Sequence, residues 1–266
     1  VRFDICVKER DVIETIHLTK KYGTMTAVND LSLTVQAGEM FGFLGPNGAG
    51  KTTTIRMLTG LLKPSAGTAT VAGYDILKEP LKVKAEIGYL AESPFLYEKL
   101  TAREFLRFVA DLYQVEEQGR EQRINRLLEL LELGSKADEL IGSYSHGMKQ
   151  KVGLCSVLIH NPKVLFLDEP TTGLDPRSAR LVKDILRGLV AKGVTIFMSS
   201  HILEIVEHMC DRVAIIDHGK LIAVGTLHEL RTQAKAQASS LEDIFLSLTG
   251  GAEYKELAAY LQEEKA

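Results

Sequence analysis

The chain has 266 residues, 32 Lys+Arg against 35 Asp+Glu for a formal net charge of −3, and a composition that is 45% hydrophobic and 25% charged. These are the proportions of a globular protein of one large domain or two small ones, and they exclude a wholly disordered, collagen-like or disulfide-scaffold chain. The near-neutral balance removes the electrostatic basis for wrapping nucleic acid or attaching to a membrane through a polybasic surface, so no nucleic-acid partner is expected.

In chain order, 12–19 and 31–35 read as β-branched, alternating strands separated by a turn-rich 20–29 stretch. A compact apolar strand at 39–44 runs into glycines, and 51–62 reads as a helix closed by Lys63 and Pro64. Short strands follow at 69–71 and 87–90. Thr101 and Glu104 form a capping-box pattern that opens a helical insertion to about residue 133. Phe105, Phe108 and Leu112 lie at helical spacing there, and Ile124, Leu127, Leu128 and Leu131 form a second face. A helical pattern at 147–160 precedes strands at 163–167, 194–198 and 213–216, and 217–220 reads as a hairpin turn. Alternating strands and helices predict an α/β core with a largely parallel sheet. Beyond Thr226 the signal weakens to a polar connection at 231–240. Two helical faces follow, one of Leu241, Ile244, Phe245 and Leu248, the other of Tyr254, Leu257, Ala258 and Leu261. They read as a small helical appendage.

Cys6, Cys155 and Cys210 are far apart, with neither metal-ligand spacing nor a disulfide framework, a usage that suits a reducing compartment. The longest apolar runs, 152–159 and 193–198, fall well short of the ~18 residues of a membrane-spanning helix, and the start does not read as a secretory leader. Any service to a membrane is therefore expected to run through another polypeptide.

Gly45, Pro46, Asn47, Gly48, Ala49, Gly50, Lys51 and Thr52 satisfy G-x-x-x-x-G-K-[ST] without a mismatch, directly after a strand and at the start of a helix. Glycines let backbone N–H groups converge on phosphate oxygens, and the helix adds the positive end of its dipole. Lys51 is expected to reach the β- and γ-phosphates and the Thr52 hydroxyl to ligate Mg²⁺. The apolar run 164–167 ends in Asp168 and Glu169. Strands of a parallel sheet present ligand groups at their carboxyl ends, so the two acids are expected to face the phosphate loop. Asp168 would hold Mg²⁺, and Glu169 would act as general base toward the attacking water. His201, after the strand 194–198 and Ser199-Ser200, reads either as a hydrogen-bonding partner of the γ-phosphate or water, or as an ordinary polar residue at a strand end.

The phosphate loop, Ser145 and Gly147 at the head of a helical pattern, Asp168-Glu169, Thr172-Gly-Leu-Asp175 and His201 occur together in one order. In that combination, over roughly residues 12–230, the chain resembles the nucleotide-binding subunit of an ATP-binding cassette transporter, and the tail 241–250 is similar to that of drug- and sodium-efflux exporter subunits. The resemblance implies a P-loop NTPase core with an N-terminal antiparallel β subdomain and a helical subdomain at about 101–160. Together these make an ATPase domain at 1–230, followed by the appendage at 231–266. It implies that ATP with Mg²⁺ is bound by the loop residues 45–53, Thr53 included, and that Tyr22 stacks on adenine, its plainer reading being a tyrosine in a turn. Ser145 and Gly147 would approach the γ-phosphate held by a second subunit; Ser145 also reads as the cap of its own helix, and both roles can coexist. Asp175 would link the two sites of a homodimer or heterodimer. Two departures stand out. Tyr144-Ser-His-Gly-Met148 replaces the usual Leu-Ser-Gly-Gly-Gln, and Glu92 stands where the family carries a glutamine that touches Mg²⁺; a carboxylate there can bind the metal but adds charge beside the triphosphate.

These implications amount to an ATPase that powers a separate membrane permease, of the exporter type by resemblance, bound peripherally at the cytoplasmic face of the membrane. Phe95, Leu96, Tyr97 and Leu100 read equally as a permease-docking cluster or as part of the helical insertion's core. The alternatives are a soluble ATPase switch of the same superfamily, acting in translation, repair or cofactor assembly, and a non-enzymatic regulatory subunit. Lys51, Asp168 and Glu169 argue against the latter.

Overall fold

The computed structural model describes residues 11–234 and 240–249; Cys6 and the face of Tyr254, Leu257, Ala258 and Leu261 lie outside them. The chain opens with β1 (Asp11–Tyr22) and β2 (Met25–Gln36), an antiparallel hairpin whose turn is only Gly23 and Thr24. The expected turn-rich 20–29 stretch is thus mostly strand, because ladder hydrogen bonds continue to the Tyr22–Met25 pair whatever the local polarity. A bulge near His17 shifts the alternation, so Ile13 and Thr15 and then Leu18 all point inward.

Next come β3 (Met40–Leu44), α1 (Lys51–Leu58), β4 (Ala66–Val71), β5 (Tyr74–Asp75), α2 (Pro80–Glu86) and β6 (Ile87–Leu90). Helix α1 stops at Leu58 rather than at Leu62, because Gly60 turns left-handed and the N–H groups of Leu61 and Leu62 both return to the Arg56 carbonyl at 2.9 Å. The helical insertion holds α3 (Ala102–Leu112), α4 (Arg120–Leu130), two short 3-10 turns (Gly134–Lys136 and Ile141–Ser143) and α5 (His146–Leu158). The capping box forms: Glu104 N–H donates to Thr101 Oγ1 at 3.2 Å, and Thr101 N–H to Glu104 Oε2 at 2.9 Å. The buried stripe of α3 is Phe105, Leu106, Val109 and Ala110, so Phe108 and Leu112, expected on its face, look outward; the expected Ile124 and Leu128 of α4, and Leu131 just past its end, are buried. Of the apolar cluster before α3, Leu96 and Leu100 pack on the core, Phe95 is 98% exposed, and Tyr97 meets Phe108 edge-on at 5.4 Å.

The chain continues with β7 (Val164–Asp168), α6 (Pro176–Val190), β8 (Thr195–Ser200), α7 (Leu203–Met209), β9 (Arg212–Asp217), β10 (Lys220–Gly225), α8 (Leu227–Gln233) and α9 (Leu241–Leu248). Helix α8 begins where the sequence signal weakens and runs three residues into the stretch read as polar connection. Thr226 and Glu229 make a second capping box, a signal masked by the weak apolar pattern behind it. In α9, Leu241 and Ile244 are buried against the core, and Leu241 N–H donates to Glu207 Oε2 of α7 at 3.3 Å.

Two sheets result. The smaller is antiparallel, β2-β1-β4-β5; the larger runs β10-β9-β3-β8-β7-β6 and is parallel except for β10. The larger sheet is covered on both faces, and the two-residue strand period sorts its side chains into two cores. Phe41, Phe43, Phe166 and Phe197 face α1 and the antiparallel sheet. Met40, Leu44, Leu165, Leu167, Ile196 and Met198 face the helices. Phe197 stands at the centre of the first set, with ring centroids 5.1–5.6 Å from the other three.

Candidate functional site

Strands β3, β8 and β7 are neighbours and parallel, so the loops leaving their carboxyl ends share one edge of the sheet. That topology brings together the phosphate loop after β3, His201 after β8 and Asp168-Glu169 at the end of β7.

The loop of residues 45–50 is shaped by contacts that a side chain would break. A Cβ on Gly45 would lie 2.3 Å from the Ile216 carbonyl oxygen, and Gly50, at φ +106°, would place one 2.5 Å from that of Ala27. Gly50 is also the N-cap of α1, which has no side-chain cap and no acid in its first turn. Helices α3, α5 and α6 by contrast cap themselves with Thr101, Ser145 and Asp175. The first N–H donors of α1 therefore remain available to an anion, with the positive dipole end behind them. Lys51 is buried, and its Nζ donates to the carbonyls of Gly45 at 2.8 Å and Pro46 at 3.2 Å. Ala49 N–H closes the loop on the Pro46 carbonyl at 3.1 Å.

Thr52 Oγ1 donates to Asp168 Oδ2 at 2.7 Å, and Ser199 Oγ donates to Asp168 Oδ1 at 2.5 Å, so both carboxylate oxygens of this 2%-exposed acid are held. The Asp168 charge, after burial, pushes the Tyr89 phenol upward. Glu169 takes a left-handed backbone, φ 52°, and its N–H lies 3.3 Å from both the carbonyl and the Oγ of Ser199. Among the described non-glycine residues with positive φ it alone lines the cleft, a strained conformation of the kind retained at functional sites. Its Oε1 is 2.9 Å from Nδ1 of the half-exposed His201.

The cleft encloses about 350 Å³. Its lining includes Tyr22, Asn47, Gly48, Gly50, Lys51, Thr52, Thr53, Glu92, Asp168, Glu169 and His201, all expected from sequence. Gly45, Pro46 and Ala49 are not part of the lining. Ser145, Gly147 and Asp175 do not line it. Ser145 caps α5 through Met148 N–H at 3.3 Å, and Asp175 caps α6 through Ser178 N–H at 3.0 Å. The Ser178 hydroxyl and backbone hydrogen bonds hold the Asp175 carboxyl below its ordinary range. Sequence reading missed Met25 and Ala27 in the lining and Ser199 behind Asp168. The alternation of 194–198 marks Ser199 only as a strand end, and its partner becomes visible once β7 is known to lie beside β8.

A parallel sheet whose strand ends gather a glycine loop, a buried lysine and two adjacent acids defines a P-loop nucleotide-binding ATPase fold. The family profile described as ABC transporter matches residues 28–172. An ABC transporter ATP-binding protein, YhcH of Bacillus subtilis, is 43% identical over 220 residues, covering 81% of this chain and 70% of that one. The daunorubicin/doxorubicin resistance ATP-binding protein DrrA of Streptomyces peucetius is also 43% identical over 220 residues, covering 83% of this chain and 67% of the relative. A solved structure described as the ATP-binding subunit of an ABC transporter superposes with a TM-score of 0.85 at 34% identity, over 89% of this chain and 99% of the other. The chain belongs to the ABC transporter family, as one of its ATP-binding subunits.

Proposed function

We propose that this subunit hydrolyses Mg·ATP to drive a separate membrane permease of the export type, two ATP-binding subunits closing head to tail around two nucleotides. The observation that supports it most is the convergence of Lys51, the Thr52–Asp168 pair and the Glu169–His201 pair on one cleft. Thr52 and Asp168 supply hard oxygen donors, and no cluster of three or more His, Cys, Asp or Glu able to hold a metal occurs among the described residues. That donor set fits Mg²⁺, which keeps water and takes phosphate oxygens in place of a protein cage. When bound, the ion would neutralise charge on the β- and γ-oxygens. Lys51 would leave its loop carbonyls for the terminal phosphates, and Glu92 would stand at the metal's edge. Glu169, aimed by its strained backbone and held by His201, would take the proton from the attacking water, and His201 would stabilise the water or the γ-phosphate. Tyr22, nearly half exposed beside the cleft, would offer a ring face to adenine. Ser145, Gly147 and Asp175 lie outside the cleft, as groups serving a second subunit's nucleotide would. No helix among the described residues is long and apolar enough to cross a membrane, so attachment at the cytoplasmic face would run through the permease. The drug-resistance relative supports the export direction.

The test is nucleotide turnover and binding. Glu169→Gln is expected to bind ATP and lose about 10²–10⁴-fold in hydrolysis, the usual contribution of a positioned base, while accumulating the dimer; hydrolysis at the wild-type rate would refute the assignment. Lys51→Ala is expected to lose nucleotide affinity in a direct titration, and an unchanged Kd would remove Lys51 from the site.

A further inference from the structure

We propose that His146 and Gln150 are positioning residues that lock the N-terminus of α5 to the 171–175 loop, so that Ser145 and Asp175 are presented as one surface to the nucleotide held by a second copy. The inference rests on the head-to-tail dimer proposed above. His146 stands where the family resemblance leads one to expect glycine, and its ring fills the space beside Gly173. A Cβ on Gly173 would lie 2.6 Å from His146 Cδ2 and 3.0 Å from Nε2. One residue along, a Cβ on Gly147 would lie 3.4 Å from Leu174 Cδ2. The contact thus runs two residues deep between the two segments that cap α5 and α6. Gln150 follows His146 by four residues and shares its helix face. It is 2% exposed, yet neither of its amide atoms has a hydrogen-bond partner among the described residues, nor has the buried hydroxyl of Thr172 beside Gly173. Buried polar groups without partners are uncommon in native proteins, and these stand on the two segments that meet at His146 and Gly173, which points to a second arrangement of those segments that uses their hydrogen-bonding capacity. Closure on a second copy's nucleotide supplies that arrangement.

The experiment measures Mg·ATP-driven dimerisation by sedimentation in the Glu169→Gln chain, with single-chain nucleotide affinity as the control for folding. In that background, Gly173→Ala is expected to weaken dimerisation about tenfold or more. Part of this comes from the left-handed backbone at φ +73°, which His146 does not influence, and part from collision with the imidazole. His146→Gly added to Gly173→Ala should recover the second part, leaving the two effects non-additive. Gln150→Met, which removes the unpaired amide at nearly constant volume, is expected to raise the melting temperature of the single chain and weaken ATP-driven dimerisation, a split that a merely structural side chain would not produce. Effects of His146→Gly and Gly173→Ala that simply multiply, or a Gln150→Met chain whose stability and dimerisation move together, would overturn the inference and leave the dimer intact. Failure of the Glu169→Gln chain itself to dimerise while binding ATP would overturn the assembly and this inference with it.

Discussion

Asp168 illustrates how one buried charge organises the residues around it. A carboxylate at 2% exposure is costly unless its oxygens are bonded, and Thr52 and Ser199 each hold one of them. Ser199→Ala is expected to lower unfolding free energy by about 1.5–3 kcal/mol, since hydrogen bonds to charged groups are worth that much. With one carboxylate oxygen released, the Mg²⁺ concentration needed for half-maximal turnover should rise. Denaturant unfolding and a magnesium titration read the two effects, and unchanged values in both would mean that Ser199 does not orient the acid. Lys51, Thr52, Asp168 and Glu169 were legible in sequence because their spacing encodes the chemistry locally. Ser199 was not, because its role depends on which strand lies beside β7.

At the scale of elements, the β9–β10 hairpin does more than the sequence pattern announces. His218 and Gly219, both left-handed at φ 44° and 76°, form the expected two-residue turn. The turn also braces the phosphate loop: Gly219 N–H donates to the Ala49 carbonyl at 3.0 Å, and Asn29 N–H donates to the Gly219 carbonyl at 2.8 Å. A Cβ at Gly219 would fall 2.8 Å from the Ala27 carbonyl oxygen. Gly219→Ala is therefore expected to destabilise the protein by about 1–3 kcal/mol and to weaken nucleotide binding by displacing Ala49. Thermal unfolding and nucleotide titration check it; a destabilised variant with wild-type affinity would show that the brace is dispensable. Alternation and a Gly in the right place predicted the hairpin, whereas the contact with Ala49 joins residues 170 positions apart and has no local signature.

The whole molecule is joined across its insertion by His160. The ring stacks on Tyr113 of the insertion at 3.7 Å, its Nε2 meets the Ile87 carbonyl at 2.9 Å, and its buried Nδ1 has no partner among the described residues. Burial, aided by the Arg123 guanidinium, holds its pKa below the ordinary value. The folded state thus favours neutral imidazole, so the unfolded chain binds more protons as the pH drops through the ordinary histidine range of about 6.5. Stability is fully present above that range and is lost below it. Urea unfolding at about pH 7.5 and about pH 5.5 should show a larger acid-induced loss in the wild type than in His160→Phe, which keeps the stack but cannot titrate. An equal loss in both would place the pH dependence elsewhere.

By itself the sequence determined the α/β class, the phosphate loop, the acidic pair and the starts of α1, α3, α5 and α9, because each is written in neighbouring residues: a two- or 3.6-residue period, a cap, or a glycine before a lysine. It misjudged the reach of the first hairpin, the end of α1, the outward face of Phe108 and Leu112, and the helix after Thr226, where ladder bonds, a left-handed glycine or packing outweighed local preference. Only the tertiary structure decided that β3, β8 and β7 lie side by side, and with that order the meeting of Thr52, Asp168, Ser199 and His201 at one edge. Strand order is set by long-range burial of the two phenylalanine- and leucine-lined faces, a property of the folded whole that no short window of residues contains.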